Sequence, residues 1–164
     1  MKRENGWWDQ WFLGLAQYVS TASKDPSTQT GAVIVDHLRR VVSIGYNGFP
    51  RGIQDSQERL ENRELKYKLI VHCERNALLF ANRPVTGCAL YMWPFGSCTP
   101  CAIMSIQAGI TRCVWPPCPE EKVERWGEDL LLAETLLKEA GVSVTMVSGE
   151  LFWPYVSLFS QRIP

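Results

Sequence analysis

Ala89-Leu90-Tyr91-Met92-Trp93, then Cys98-Thr99-Pro100-Cys101 opening a run to Ala108, then Arg112-Cys113-Val114-Trp115, reads as strand, helix and strand in succession. The first and last pieces are short apolar runs rich in strand formers. Gly109 stops the helix between them. Pro116-Pro117-Cys118-Pro119 then breaks the chain before a long helical stretch, 120–140, which Gly141 ends. Residues 142–147 alternate as a further strand. Helices that alternate with strands in this way imply an α/β layered fold.

Upstream of this stretch, residues 7–22 read as an amphipathic helix, with Trp8, Trp11, Phe12, Leu15 and Val19 recurring at helical spacing. A polar loop, 23–30, is punctuated by Pro26. Residues 31–35 and 41–45 are β-branched runs around a polar turn at Asp36-His37, and read as a hairpin. A Gly/Pro loop, 46–52, follows. The charged run 55–68 reads as a solvated loop or helix face leading into Leu69-Ile70-Val71. Residues 72–81 read as a helix, with Gly87 closing the next turn. Residues 151–164 form an aromatic tail. No repeat or low-complexity segment interrupts the chain, so 1–164 is expected to be a single domain.

The 164 residues are enough for a sizeable core without disulfides, and the 46% hydrophobic content is that of a globular protein. Seventeen basic residues balance seventeen acidic ones. That counts against a partner such as long nucleic acid, which calls for a basic excess. A mononucleotide needs only one or two local cations. No apolar run approaches the ~20 residues that span a bilayer, and the N-terminus has no apolar signal core. No membrane association is expected.

Three side chains have metal-ligand chemistry: His72, Cys98 and Cys101. One imidazole and two thiolates suit zinc, and three protein ligands leave one tetrahedral position open, as in a catalytic site. A structural zinc site wants a fourth ligand, but no second C-x-x-C is present. The other histidine, His37, falls in the predicted turn and is expected at the surface. Both metal-binding segments fall at predicted helix starts, where the helix dipole favours thiolate. His72 comes from a separate helix, so zinc would clamp two helices. Thiol ligands fit a reducing cytoplasm. Cys73, Cys88, Cys113 and Cys118 are left over and are expected in packed or loop positions. Glu74 sits two residues after the histidine, placed to move protons. Zinc lowers the pKa of a bound water to about 7. Glu74 would take the proton of such a water.

His72-Cys73-Glu74 with Cys98-Thr99-Pro100-Cys101 resembles the H-x-E…P-C-x-x-C signature of zinc nucleobase deaminases. The resemblance narrows over 23–147. Ser23-Lys24-Asp25-Pro26-Ser27-Thr28-Gln29-Thr30-Gly31-Ala32-Val33-Ile34-Val35 and Gly45-Tyr46-Asn47-Gly48-Phe49-Pro50 are similar to two blocks of the deoxycytidylate (dCMP) deaminase family. Lys66-Tyr67, His72-Cys73-Glu74-Arg75-Asn76-Ala77 and Gln107-Ala108-Gly109-Ile110 match in order and spacing. The resemblance implies the cytidine-deaminase-like three-layer fold, a five-stranded mixed sheet with helices on both faces. It implies hydrolytic deamination of dCMP to dUMP plus ammonia, zinc as cofactor, a homo-oligomer, and possible regulation by a nucleoside triphosphate effector. It further implies that Asn47 bonds the substrate's sugar and that the Cys73 backbone amide meets the base carbonyl. Lys24 and Arg51 are the candidates for phosphate contacts.

Three departures stand out. Ser97 replaces the proline that usually precedes the first zinc cysteine, and it adds a hydroxyl near the metal. Cys73 replaces the usual alanine. Residues 116–126 are Pro-rich, then carry Glu120, Glu121 and Trp126, unlike the family pattern. Three alternatives stay open. One is deamination of another small aminated base, nucleoside or modified cytosine nucleotide, separable by phosphate dependence. Another is a nucleic-acid editor, which predicts a basic stripe with exposed aromatics. The third is a zinc-stabilised binding module without turnover.

Overall fold

The computed structural model describes residues 5–148. Eleven elements follow one another as α1 (Asn5–Ser20), β1 (Gly31–Val35), β2 (Val41–Tyr46), α2 (Gln57–Glu61), α3 (Arg63–Leu69), α4 (Cys73–Leu79), β3 (Ala89–Trp93), α5 (Thr99–Gln107), β4 (Arg112–Trp115), α6 (Glu120–Glu139) and β5 (Ser143–Met146). The strands form one five-stranded mixed sheet in the order β2-β1-β3-β4-β5. β1 pairs antiparallel with both β2 and β3, while β3, β4 and β5 run parallel. The antiparallel half is the hairpin read from the sequence. The parallel half is the alternating stretch, because a helix between two strands returns the chain to the same end of the sheet.

Side-chain alternation along the strands builds two cores. Val33, Val35, Tyr91 and Val114 face α1 and pack on Phe12, Leu13, Ala16 and Val19. Ala32, Ile34, Leu90, Met92 and Cys113 face the other way, onto Ala77, Ala102, Ala133 and Leu137 of α4, α5 and α6. This is the expected three-layer arrangement. The α1 stripe is core, as its spacing implied, although Trp8, Trp11 and Leu15 are only partly buried. Burying a side chain such as Phe12 contributes about 1.5–3 kcal/mol. Asp9 then fixes α1 in place. It accepts two bonds from Arg112 at 2.8 and 2.7 Å and one from the Tyr91 hydroxyl at 2.9 Å. Burial, followed by the Asp9 charge, holds the Tyr91 phenol far above its ordinary range.

The charged run 55–68 departs from the solvated face expected of it. It folds into α2 and α3, capped by Ser56 and Asn62, and it buries Lys66 completely enough to leave it 3% exposed. Cys73, Cys88 and Cys113 are buried among apolar neighbours, and Cys118 is partly exposed. His37 is on the surface. The aromatic tail 151–164 lies outside the described residues.

Candidate active site

Both metal-ligating segments leave an extended run and enter a helix at its N-terminus. His72 is the N-cap of α4 and Cys98 the N-cap of α5, each with extended backbone and no side-chain capping bond. Serine or aspartate at such a position would turn back to its own helix. These two side chains are left to reach across to each other. The α5 start is steadied from α6 instead: Thr99 donates its backbone N–H to the Asp129 carboxylate at 3.2 Å and its hydroxyl to the Asp129 carbonyl at 3.2 Å. Cys101, one turn in, is fully buried.

The three donors converge. Nδ1 of His72 lies 3.3 Å from Sγ of Cys98 and 3.5 Å from Sγ of Cys101, and all three atoms fall within 4.8 Å of one another. Zinc with Zn–S near 2.3 Å and Zn–N near 2.0–2.1 Å places N and S about 3.6 Å apart on a tetrahedron. The donor set therefore fits zinc in both chemistry and spacing. A bond from the Cys101 thiol, with the His72 ring beside it, brings the Cys98 thiol down to about 5 against the opposing effect of burial. Cys101 is held far above its ordinary range by the same sharing. His72 is raised, chiefly by its bond to Cys98. One negative sulfur thus stands ready, and a divalent cation would displace the second proton.

Glu74 lies on the first turn of α4, 5% exposed, in the same cleft as His72 and Cys98. Its charge acts on all three metal donors. The neighbouring Cys73 is buried, and burial followed by the Glu74 charge pushes its thiol well up, so it stays protonated. Gly45 makes this placement possible. A Cβ there would come within 2.3 Å of the Cys73 carbonyl and the Ala77 amide, so α4 can rest directly on β2 only at a glycine. Beside it, Gly48 and Val71 exchange backbone hydrogen bonds of 3.1 and 2.8 Å. These join the turn after β2 to the residue before His72.

The cleft is an open one, lined by residues of the loop before β1, of α3, α4 and α6 and of the turn before α5. Its inner wall carries Asn47, whose amide is largely engaged by the protein. Oδ1 accepts from the Thr30 N–H at 2.8 Å, and Nδ2 donates to the Thr28 carbonyl at 2.9 Å and to Asp25 at 3.4 Å. Asp25 in turn takes the Lys66 ammonium at 2.8 Å and the Ser27 amide at 2.8 Å. The loop before β1 is thus held on a buried ion pair.

The phosphate candidates from the sequence do not meet in this cleft. Lys24 is 69% exposed along its side chain, pairs with Asp55 and lines a separate outer groove. Arg51 stacks over Phe80 at 4.6 Å. Neither lines the cleft. Sequence reasoning missed Arg125, which does line it. Its guanidinium stands 5.1 Å from the Tyr67 ring and 4.6 Å from that of Trp126, and it has no carboxylate partner among the described residues. Lys122, one turn earlier, donates to the Thr28 hydroxyl at the same rim. The one available signal was that both residues lie at or beside the segment departing from the family pattern. The Ser97 hydroxyl is also accounted for: it is buried and donates to the Met92 thioether at 3.0 Å.

Comparison with known proteins bears on the same residues. The family model for the cytidine and deoxycytidylate deaminase zinc-binding region matches residues 7–116. An uncharacterized deaminase in the luxG 3′ region of Aliivibrio fischeri is 43% identical over 138 residues, covering 84% of this chain and 92% of that protein. The deoxycytidylate deaminase of Mus musculus is 37% identical over 142 residues, covering 83% and 77%. Among solved structures, dCMP deaminase from the cyanophage S-TIM5, in complex with dCMP and dUMP, superposes with a TM-score of 0.67 at 21% identity, covering 90% of this chain and 99% of that one. At that identity the match speaks for the fold. The matched region contains His72, Glu74, Cys98 and Cys101, with the donor atoms at zinc spacing. On these grounds the chain belongs to the zinc-dependent cytidine and deoxycytidylate deaminases.

Proposed function

We propose that this enzyme hydrolyses dCMP to dUMP and ammonia. The observation that carries the reading is the shared cleft: a zinc-spaced donor trio, a buried Glu74, and Arg125, which has no carboxylate partner among the described residues. His72, Cys98 and Cys101 would hold a zinc ion, which would supply water activation at neutral pH. Glu74 accepts one proton from the attacking water and passes it to the ring nitrogen of cytosine; it then takes the second proton, from the hydroxyl on the tetrahedral carbon, and gives it to the amine, which leaves as ammonia while the carbonyl forms. The backbone amide of Cys73, at the start of α4, donates to the base carbonyl. Asn47 retains one lone pair on Oδ1 for a sugar hydroxyl. Chain packing excludes bulk water from the reacting end, where Glu74 and Cys73 are buried.

Arg125 supplies the charge that distinguishes a nucleotide from a nucleoside. A guanidinium forks naturally onto phosphate oxygens, and the two rings beside it hold it at the rim. The nucleotide therefore enters base first, leaving its phosphate at the opening. The chain works as a homo-oligomer in the cytoplasm. Exposed Ile103 (52%), Leu131 (67%) and Leu132 (51%) support assembly through α5 and α6, and six free thiols agree with a reducing compartment. Among the described residues no helix is long and apolar enough to cross a membrane.

Ammonia release by the zinc-loaded enzyme should be measured across dCMP, deoxycytidine, dCTP, CMP, 5-methyl-dCMP and guanine. Turnover is expected with dCMP and its close relatives. Substituting Arg125→Ala should lower kcat/KM for dCMP by about 10–150-fold, the worth of a charged hydrogen bond, and leave deoxycytidine unchanged. Equal use of dCMP and deoxycytidine by the unmodified enzyme would replace the nucleotide reading with a nucleoside or base deaminase.

A further inference from the structure

Glu74 is a carboxylate buried to 5% exposure, and a group so placed needs donors. Among the described residues one side chain bonds it: the Cys73 thiol donates to Oε2 at 3.2 Å. Cys73 is itself 3% exposed at the first position of α4, so neither side chain has solvent as an alternative partner. Thr30 lines the same cleft as Cys73 and Glu74 and is held by Asn47 at both ends of its peptide: its N–H donates to Asn47 Oδ1 at 2.8 Å, and its carbonyl accepts from the Asn47 N–H at 3.2 Å.

We propose that Cys73 is a positioning residue: its thiol holds one oxygen of the Glu74 carboxylate so that the other is aimed at the reacting water and base. The inference rests on Glu74 acting as the proton shuttle. A carboxylate with two rotatable bonds above its terminal torsion loses its orientation when its one fixed partner is removed, and a shuttle out of line loses rate far faster than the substrate loses binding. Alanine at this position, the residue usual in the family, leaves the shuttle in place without this restraint. Cys73 therefore tunes the rate of a working site. Serine keeps a donor at nearly the same point; alanine does not.

Cys73→Ala and Cys73→Ser, both zinc-loaded, are to be compared with the unmodified enzyme. The alanine variant is expected to lose about tenfold in kcat for dCMP, the scale of one hydrogen bond to a charged group, with KM within about twofold and zinc content unchanged. The serine variant is expected to recover most of that loss. A nucleotide analogue carrying a tetrahedral hydroxylated carbon in place of the reacting amidine should bind the alanine variant more weakly by about the same factor, while dUMP binds both alike. The infrared S–H stretch lost in Cys73→Ala should shift in Glu74→Gln, and this readout needs no substrate. An unmoved S–H band, or an alanine variant with unchanged kcat, overturns the proposal. So does an equal loss in alanine and serine variants that follows their melting temperatures, because that is packing alone. A shifted S–H band in an enzyme that does not turn over dCMP supports the bond to Glu74 and removes the dCMP reading instead.

Discussion

Replacing Glu74 by glutamine is expected to leave zinc bound and to lower kcat by about 10²–10⁴-fold, the range that a positioned acid–base group contributes. Glutamine has the same shape and can still accept from the Cys73 thiol through its carbonyl oxygen. It therefore disturbs neither the packing of α4 nor the donors at His72, Cys98 and Cys101, none of which it touches as a ligand. What it cannot do is take up a proton and give it back. Metal content measured on the same preparation separates the two effects. A zinc-loaded Glu74→Gln enzyme that keeps its rate would falsify the shuttle. A variant that lost its zinc would show that Glu74 holds the site together rather than moving protons.

Lys66→Met is expected to cost about 3 kcal/mol of folding stability, the low end of the ~3–5 kcal/mol for breaking a buried ion pair. The side chains of Lys66 and Asp25 are 3% and 7% exposed and meet at 2.8 Å. Methionine fills the space of the aliphatic stem but leaves the Asp25 carboxylate without its cation. The low end applies because Asp25 keeps the Ser27 and Thr28 amides at 2.8 and 3.2 Å and the Asn47 amide at 3.4 Å. For a chain of this length the melting temperature should fall by roughly 6–12 °C. Activity should suffer as well: Asp25 released toward water would draw on the loop that fixes Asn47 and Thr30, and kcat/KM for dCMP should drop. Denaturant titration and steady-state kinetics on one preparation test both. A stability loss below about 1 kcal/mol would place the pair with ordinary surface ion pairs.

The local grammar of the chain carried much of this structure. The parallel half of the sheet was legible because each strand is a short apolar run, each helix has a stop at Gly109 or Gly141, and a proline cluster divides them. The metal-donor trio was proposed from its residue types and its likeness to a deaminase signature, and the structure brings the three atoms within 4.8 Å of one another. Lys66 was not. In sequence it belongs to a charged run, and its burial is decided by an aspartate 41 positions away. Arg125 was hidden for a related reason. Helical spacing says which residues share a face of α6, but it does not say that this face meets Tyr67 from α3. The same limit applies to Lys24 and Arg51, which are near the family's blocks in sequence and outside the cleft in space. Asn47 lines the cleft, but its commitment to Thr30, Thr28 and Asp25 depends on three-dimensional closure of the loop before β1.

The paired bonds between Gly48 and Val71 make residues 49–70 a closed excursion whose two ends are stitched together at its base. A loop pinned in that way adds little entropy cost when it lengthens, because closure scales only with the logarithm of its size. Its outer part, around Arg51 to Glu61, is exposed through most of its length, whereas Lys66 and Tyr67 near its return are tied to Asp25 and Arg125. Insertions and deletions can therefore accumulate in the outer part while the histidine ligand stays in register with Asn47. The fold has a place where its outline can be redrawn over evolutionary time without reopening the chemistry beneath.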